Sequence, residues 1–324
     1  MAKLRRGTQT ALAEGASLRL RAAWLYYKHA MTQKDVAEHL GVSRTTVIRL
    51  LDEALERGEV RIWIDEGEAG CMALAVALER HLKLDEAIVV PEARGAERAA
   101  NAVGLALGKF LSEAIADGMT IGVGWGRTLN ASLASFRPPR RAGVKVLSLL
   151  GGTVETDIAN PVEYAWRAAS QLGAQCYLFP APVFVDSAET KRRLMDACGL
   201  GRLDAIAGAM DLAVVSVGDV GPKATSLSSH LVGATELDEL IALGCVGDLL
   251  CNFVDVDGAS VDHPLSRRVM SVDLATLAKA KHIVLACGGA GRAQAIGAAI
   301  KRIGCNTLIT DEGAARAILA AAGR

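Results

Sequence analysis

The segment Thr32–Leu51, TQKDVAEHLGVSRTTVIRLL, leaves few ways to fold. It reads as two short amphipathic runs separated by one glycine. Thr32 offers a side-chain oxygen as N-cap to a first helix over Gln33–Leu40. Gly41 stops that helix, because the residue past a helix end often needs positive φ. Ser43 caps again and opens a second helix, Arg44 to Arg57, closed by Gly58. Two helices meeting at a steep angle need a small residue where they touch, and Ala37 supplies it. Val36, Leu40, Val42, Val47 and Leu50/Leu51 then point inward. This is the pattern of a helix-turn-helix.

In that motif the start and outer face of the second helix meet the major groove and the phosphates. Ser43, Arg44, Thr45, Thr46 and Arg49 hold those positions, with Gln33 at the start of the first helix. Arg44 and Arg49 are expected on phosphate or guanine, and Thr45 and Thr46 on base edges or a thymine methyl, in an order the sequence leaves open. The bland alternative is a helical hairpin with a solvated Arg/Thr face. Charge weighs against it. The chain is neutral, with 36 Lys+Arg against 36 Asp+Glu, yet residues 1–50 carry nine basic and three acidic side chains. A head at +6 on a body at −6 is the footprint of a polyanion-binding module.

Residues 1–17 lack periodicity and read as a flexible basic arm, and Leu18–Ala30 as a first helix. Val60–Ile64 alternates like a short strand. A weak linker, Asp65–Gly70, follows, so the reading is a DNA-binding domain over 18–64 and a second domain over 65–324. Beyond it, apolar runs alternate with Ala-rich stretches. Strands are expected at 86–91, 119–124, 144–150, 174–179, 211–217, 268–273, 282–287 and 306–310. Helices are expected at 71–83, 96–117, 159–172, 189–199, 234–243, 291–302 and 312–322. Continuous apolar strands such as VKVLSLL, flanked by helices, predict an α/β body with a doubly wound, mostly parallel sheet covered on both faces.

At 324 residues and 51% hydrophobic the chain can bury a sizeable core, and no apolar run approaches the length of a membrane span. The basic N-terminus leads into no apolar segment of the secretory kind. Seven cysteines, odd in number and without a CxxC pair, sit mostly in apolar segments, as reduced thiols of a cytoplasmic protein do. The six histidines show no metal-ligand spacing, and neither metal nor cofactor is expected.

Three glycine-rich segments follow strand candidates. They are Gly122–Thr128 (GVGWGRT), Gly151-Gly152-Thr153 and Gly288–Arg292 (GGAGR). Glycines after a parallel strand let backbone N–H groups face an anion, and a following helix N-terminus adds partial positive charge. Thr128 and Thr153 add hydroxyls and Arg292 a guanidinium fork. Any one such loop is as readily a tight connection. Together they indicate a small-anion site at the carboxyl ends of the strands. Gly122-x-Gly124-x-Gly126 has the wrong spacing for a dinucleotide fingerprint. Asp219, Asp248, Asp255, Asp257, Asp311 and Glu312 lie near strand or loop ends. Asp248 is the preferred acceptor for sugar hydroxyls, with a loop-capping aspartate as the alternative.

Taken with the helix-turn-helix, the segments IGVGWGRTLN, LLGGTVE, GCVGDLLCNFVDVDG, VLACGGAGRAQAIGAAI and NTLITDEGAARAIL resemble the SorC family of bacterial sugar-responsive transcriptional regulators. The resemblance runs from about Leu18 to Leu319. It implies an effector domain similar to sugar-phosphate isomerases but without their catalysis, a phosphorylated sugar or polyol as effector, and homo-oligomers, commonly tetramers, whose operator binding the effector modulates. Carried onto this chain, the effector pocket falls on Gly124, Trp125, Gly126 and Thr128, on Gly152 and Thr153, on Asp248, and on Gly289 and Arg292. Two positions depart from the family: Arg292 where lysine is common, and Cys245 where alanine is usual. Arginine keeps the charge but changes reach and donor number. The runner-up reading is a sugar-phosphate isomerase-like enzyme with an added DNA-binding head.

Overall fold

The computed structural model describes residues 18–60, 66–93, 95–154, 160–221 and 231–322. The chain divides into two compact units at Asp65/Glu66. The expected strand over 60–64 lies almost wholly outside the described residues, as does the basic arm.

The head holds three helices. Helix α1, residues 18–28, closes in a π-turn over Trp24–Lys28. Helix α2 is Gln33–Leu40 and α3 is Arg44–Glu56. Thr32 caps α2 reciprocally with Asp35, as a capping box does. Gly41 sits at φ +67°, the left-handed turn a β-carbon would strain, and Ser43 caps α3 through the Thr46 N–H. Val36, Ala37, Val47, Leu50, Leu51 and Ala54 bury a small core with Ala22, Ala23 and Leu25 of α1. Arg19, only 6% exposed, pairs with Glu59, its Nε donating to Oε2 at 2.6 Å, and so ties α1 to the residues after α3. That guanidinium holds the Glu59 carboxyl below the usual carboxylate range.

The body begins with α4, Glu66–Leu82, so residues 66–70 of the expected linker are helical. Two glycines disfavour that turn. Burial of Cys71, Ala75 and Leu78 in the body's core outweighs them. Then come β1 (Glu86–Val90), α5 (Ala96–Ala114), β2 (Thr120–Val123), α6 (Arg127–Ser132), β3 (Lys145–Ser148), α7 (Pro161–Leu172), β4 (Gln175–Tyr177), α8 (Ala188–Ala197), α9 (Arg202–Ala207) and β5 (Leu212–Val215). The chain continues through β6 (Val217–Asp219), α10 (Ala234–Ala242), β7 (Cys245–Leu249), β8 (Asn252–Asp255), α11 (Leu274–Leu277), β9 (His282–Ala286), α12 (Ala293–Ile303), β10 (Thr307–Asp311) and α13 (Glu312–Ala322).

Seven strands form one parallel sheet in the order β1-β10-β9-β5-β2-β3-β4. Ile121 of β2 lies beside Val146 of β3 on one side and Leu212 of β5 on the other. Alternate residues of each strand enter different cores. Leu212 and Val214 join the layer containing Leu107 of α5, Leu129 of α6 and Leu172 of α7. Ala213 and Val215 join the layer containing Leu78 of α4, Leu277 of α11 and Ile296 of α12. Burial on both faces is why these strands read as unbroken apolar runs. Winding reverses between β2 and β5. Strands β3 and β4 extend one way, β9 and β10 the other, and open α/β sheets bind ligands outside such a switch.

One expectation fails in an informative way, and one feature was not foreseen. Residues 268–273 form no regular strand; the segment makes single antiparallel bridges, Val269 to Phe184 and Ser271 to Leu150. Its apolar residues are buried, but against connections rather than a neighbouring strand. Conversely, β6, β7 and β8 form a three-stranded antiparallel sheet whose hairpin the sequence concealed. Its tight turn uses Leu250 and Cys251, both at positive φ (52° and 61°), without the Asn-Gly or Asp-Gly that marks such turns. Asp248 Oδ2 accepts the Cys251 N–H at 2.9 Å and the Asn252 amide donates to the Leu249 and Leu250 carbonyls, which holds the strained turn in place.

Candidate functional site

In the head, Arg44 and Thr45 are exposed at the first turn of α3, and Arg49 stands one turn on with 67% of its side chain open. Arg44 Nε donates to Gln33 Oε1 at 3.3 Å, so the first residues of α2 and α3 are linked. Ser43 and Thr46 are partly engaged in capping: Ser43 Oγ accepts the Thr46 N–H at 3.1 Å and lies 2.8 Å from Thr46 Oγ1. Arg49 pairs with Glu53 at 2.9 Å, an exposed contact of little net strength that a phosphate can replace. A groove of about 590 Å³ opens beside these residues, lined by Tyr26, Tyr27, Gln33, Lys34 and Arg44 among others. Sequence reading passed over the two tyrosines and Lys34; an aromatic pair next to two cations was the signal available.

In the body, a cleft of about 280 Å³ opens at the carboxyl ends of β1, β6, β9 and β10. Gly288–Arg292 forms one wall, Asp219 another, and Gly95, Ala96 and Ala99 a third. The last three are the N-cap and first turn of α5, a 19-residue helix whose N-terminus has no side-chain cap among the described residues. Such an end leaves backbone N–H groups without helical partners and carries partial positive charge. Arg292 is 8% exposed. Its Nε donates to Asp219 Oδ1 at 3.2 Å and its Nη1 to the Gly288 carbonyl at 3.4 Å. Asp311 is buried and structural. It accepts the Gly289 N–H at 2.9 Å and the Ala314 N–H at 2.8 Å, locking the glycine loop to the start of α13.

Arg127, the first residue of α6, belongs to the same electrostatic neighbourhood. Its pKa is lowered, first by burial and then by the charge of Arg292, with Asp219 and Glu97 opposing. Close packing fixes α6 there: a Cβ on Gly108 of α5 would lie 2.2 Å from the Ser132 carbonyl. Arg127 thus interacts electrostatically with Arg292 and Asp219 of the cleft, and it was not among the site residues expected from the sequence.

Of the nine effector residues expected from sequence, Gly289 and Arg292 line this cleft. Gly124 donates its N–H to the Val214 carbonyl, and the Trp125 side chain is buried in the core. Gly126 caps α6 and Thr128 is buried within it. Gly152 bridges to Pro182, and the Thr153 carbonyl accepts from the Asn160 amide. Asp248, 2% exposed, caps the β7–β8 hairpin as described above. Asp219, named in the sequence as one carboxylate among several, reaches Arg292.

Residues 68–320 match the sugar-binding domain family, and residues 16–63 match the homeodomain-like domain family. The chain is 31% identical over 305 residues to the erythritol catabolism regulatory protein EryD of Brucella abortus, covering 94% of this chain and 96% of that one. It is 30% identical to the deoxyribonucleoside regulator of Bacillus subtilis, covering 94% and 98%. Among solved structures it resembles the full-length sorbitol operon regulator SorC from Klebsiella pneumoniae, with a TM-score of 0.70 and 26% identity over 94% of this chain and 99% of that one. These relatives are regulators rather than enzymes, which removes the isomerase alternative. With a helix-turn-helix in front of a parallel α/β body, the chain belongs to the SorC-type transcriptional regulators with a sugar-binding domain.

Proposed function

We propose that this protein binds operator DNA through Arg44, Thr45, Thr46 and Arg49, supported by Gln33 and Ser43, and that a phosphorylated sugar or polyol in the body's cleft controls that binding. The observation that carries the effector's charge is Arg292, held in a small cleft beside the N-terminus of α5. A phosphate there meets backbone N–H groups, a helix dipole and a charge-assisted fork together. At about 280 Å³ the cleft suits a compact polar ligand. The relatives named for erythritol catabolism, the sorbitol operon and deoxyribonucleosides support the sugar and polyol class. Gly289 lines the cleft itself, and the 124–128 loop joins the proposed site through the electrostatic interaction of Arg127 with Arg292 and Asp219. Gly152, Thr153 and Asp248 remain in the proposed site on the strength of the family resemblance.

One helix-turn-helix reads only a few base pairs, so the reading includes a symmetric homo-oligomer, a tetramer, presenting paired heads to a pseudo-palindromic operator in the cytoplasm. A thermal-shift screen of phosphorylated sugars and polyols, followed by operator titration with each hit, tests it. A ligand at a hundredfold excess over Kd adds about 2.7 kcal/mol of stability. Hits confined to unphosphorylated compounds, or hits that leave operator affinity unchanged, would refute the effector reading.

A further inference from the structure

Arg292 does not wait in the cleft with its charge open. Its Nε is given to Asp219 at 3.2 Å and its Nη1 to the Gly288 carbonyl at 3.4 Å, and both ionic side chains are largely buried, 9% and 17% exposed. Asp219 comes from the last residue of β6, in the small antiparallel sheet, whereas Arg292 stands just before α12 and follows β9 of the parallel sheet. The pair therefore bridges two sheets across the ligand cleft, and Asp219 and Arg292 both line it. A lysine in place of Arg292 has no fork with which to serve a carboxylate and a carbonyl from fixed directions at once.

We propose that Asp219 is the specificity-determining residue of the cleft, acting in two ways. It competes with any incoming anion for the Arg292 guanidinium, and once displaced it accepts a hydroxyl from the same ligand. A bare anion loses the comparison, because it replaces one carboxylate at Arg292 and leaves Asp219 partly buried beside a new negative charge. A neutral polyol has hydroxyls for Asp219 but nothing to replace it at the arginine. A phosphate monoester carrying a hydroxyl near the ester satisfies both groups. The selected chemistry is thus the combination, at the scale of a short polyol phosphate. The inference rests on the proposed effector site and deepens it.

The test titrates full-length wild type, Asp219→Asn, Asp219→Ser and Asp219→Glu with sulfate, an anion without a hydroxyl, and with glycerol 3-phosphate by calorimetry. Asn keeps the shape and removes the competing charge; Ser does so with less bulk should the amide be poorly tolerated; Glu keeps the charge. Wild type is expected to prefer glycerol 3-phosphate over sulfate. In the Asn and Ser variants sulfate should bind about tenfold tighter, from removal of a partly buried like charge, while glycerol 3-phosphate gains little. The preference then shrinks about tenfold, and Glu retains it. Wild type that binds glycerol 3-phosphate, with a preference unchanged by Asn and Ser, overturns the role of Asp219 while leaving the effector site standing. Wild type that binds neither probe, or whose binding is indifferent to Arg292→Lys, overturns the site and this inference together.

Discussion

The head and the body carry their functional charges in opposite ways. On α3 the candidate arginines are exposed, one turn apart, and rooted in a helix that Val47, Leu50 and Leu51 hold from the other side. In the cleft, Arg292 is buried, and the groups around it come from β6, α5, β9 and β10, more than two hundred residues apart in the chain. Exposed charges interact weakly with their own protein and can be given to DNA at small cost. Buried charges are already committed to partners, so a ligand must replace those partners. The difference teaches that one surface is tuned by adding contacts and the other by exchanging them.

Removing Arg292 should show this contrast most strongly. Arg292→Met removes one partner of Asp219, whose side chain is 17% exposed, and should destabilise the body by about 3 kcal/mol. Amide exchange of β9 and β10 measures it, and the head's amides should be unaffected. A cost within about 0.5 kcal/mol, the usual range of a surface change, would erase the distinction between the two regions.

Next in size are the head's arginines. Arg44→Ala and Arg49→Ala should each weaken operator binding about tenfold or more while changing stability by no more than about 0.5 kcal/mol. If the contact is to phosphate, the slope of log K against log salt should become shallower by about one unit in each. Filter-binding across a salt series reads both quantities, and wild-type affinity with a wild-type slope would remove α3 from the interface.

A smaller effect sharpens the comparison inside the head, where Arg19 and Glu59 form a pair resembling the body's. Glu59 is held below its ordinary value of 4.5 by the Arg19 guanidinium. A lowered folded pKa means that its stabilisation is complete above the unfolded value and fades as pH falls through the folded one. Acidification below about 4.5 should therefore loosen α1, and Glu59→Gln should flatten that dependence. Protection factors of α1 amides, which correct for the slower intrinsic exchange in acid, should thus fall between about pH 5 and about pH 3 in wild type and change less in the variant.

The least effect concerns thiols. Burial pushes Cys245 up to about 11 and Cys305 up to about 12, and raises Cys251 and Cys287 as well. A thiol reagent at pH 8 should modify exposed Cys198 first and leave these four until the body unfolds. Fast labelling of Cys287, directly before the glycine loop, would mean that the cleft opens in solution.

Much of the head was legible because its logic is local. Thr32, Gly41 and Ser43 cap, turn and cap within a dozen residues, and Ala37 with Val36 and Val47 fixes the packing that follows. The parallel sheet was legible for a different reason: strands buried on both faces must be apolar throughout, whichever neighbours they find. What the sequence by itself determined was therefore the type of most elements, the helix-turn-helix and the presence of glycine loops after strands. Tertiary structure alone decided the partners. Nothing local distinguishes Asp219 from Asp248, for both follow a Val-Gly pair near a strand end, yet one meets Arg292 and the other holds a hairpin turn. Nor could the sequence reveal that hairpin, since Leu250 and Cys251 take positive φ only because packing and the Asp248 and Asn252 side chains enforce it. Capping and periodicity act over a few residues, whereas an ion pair requires two backbones to arrive at the same point, and only the folded sheet brings them there.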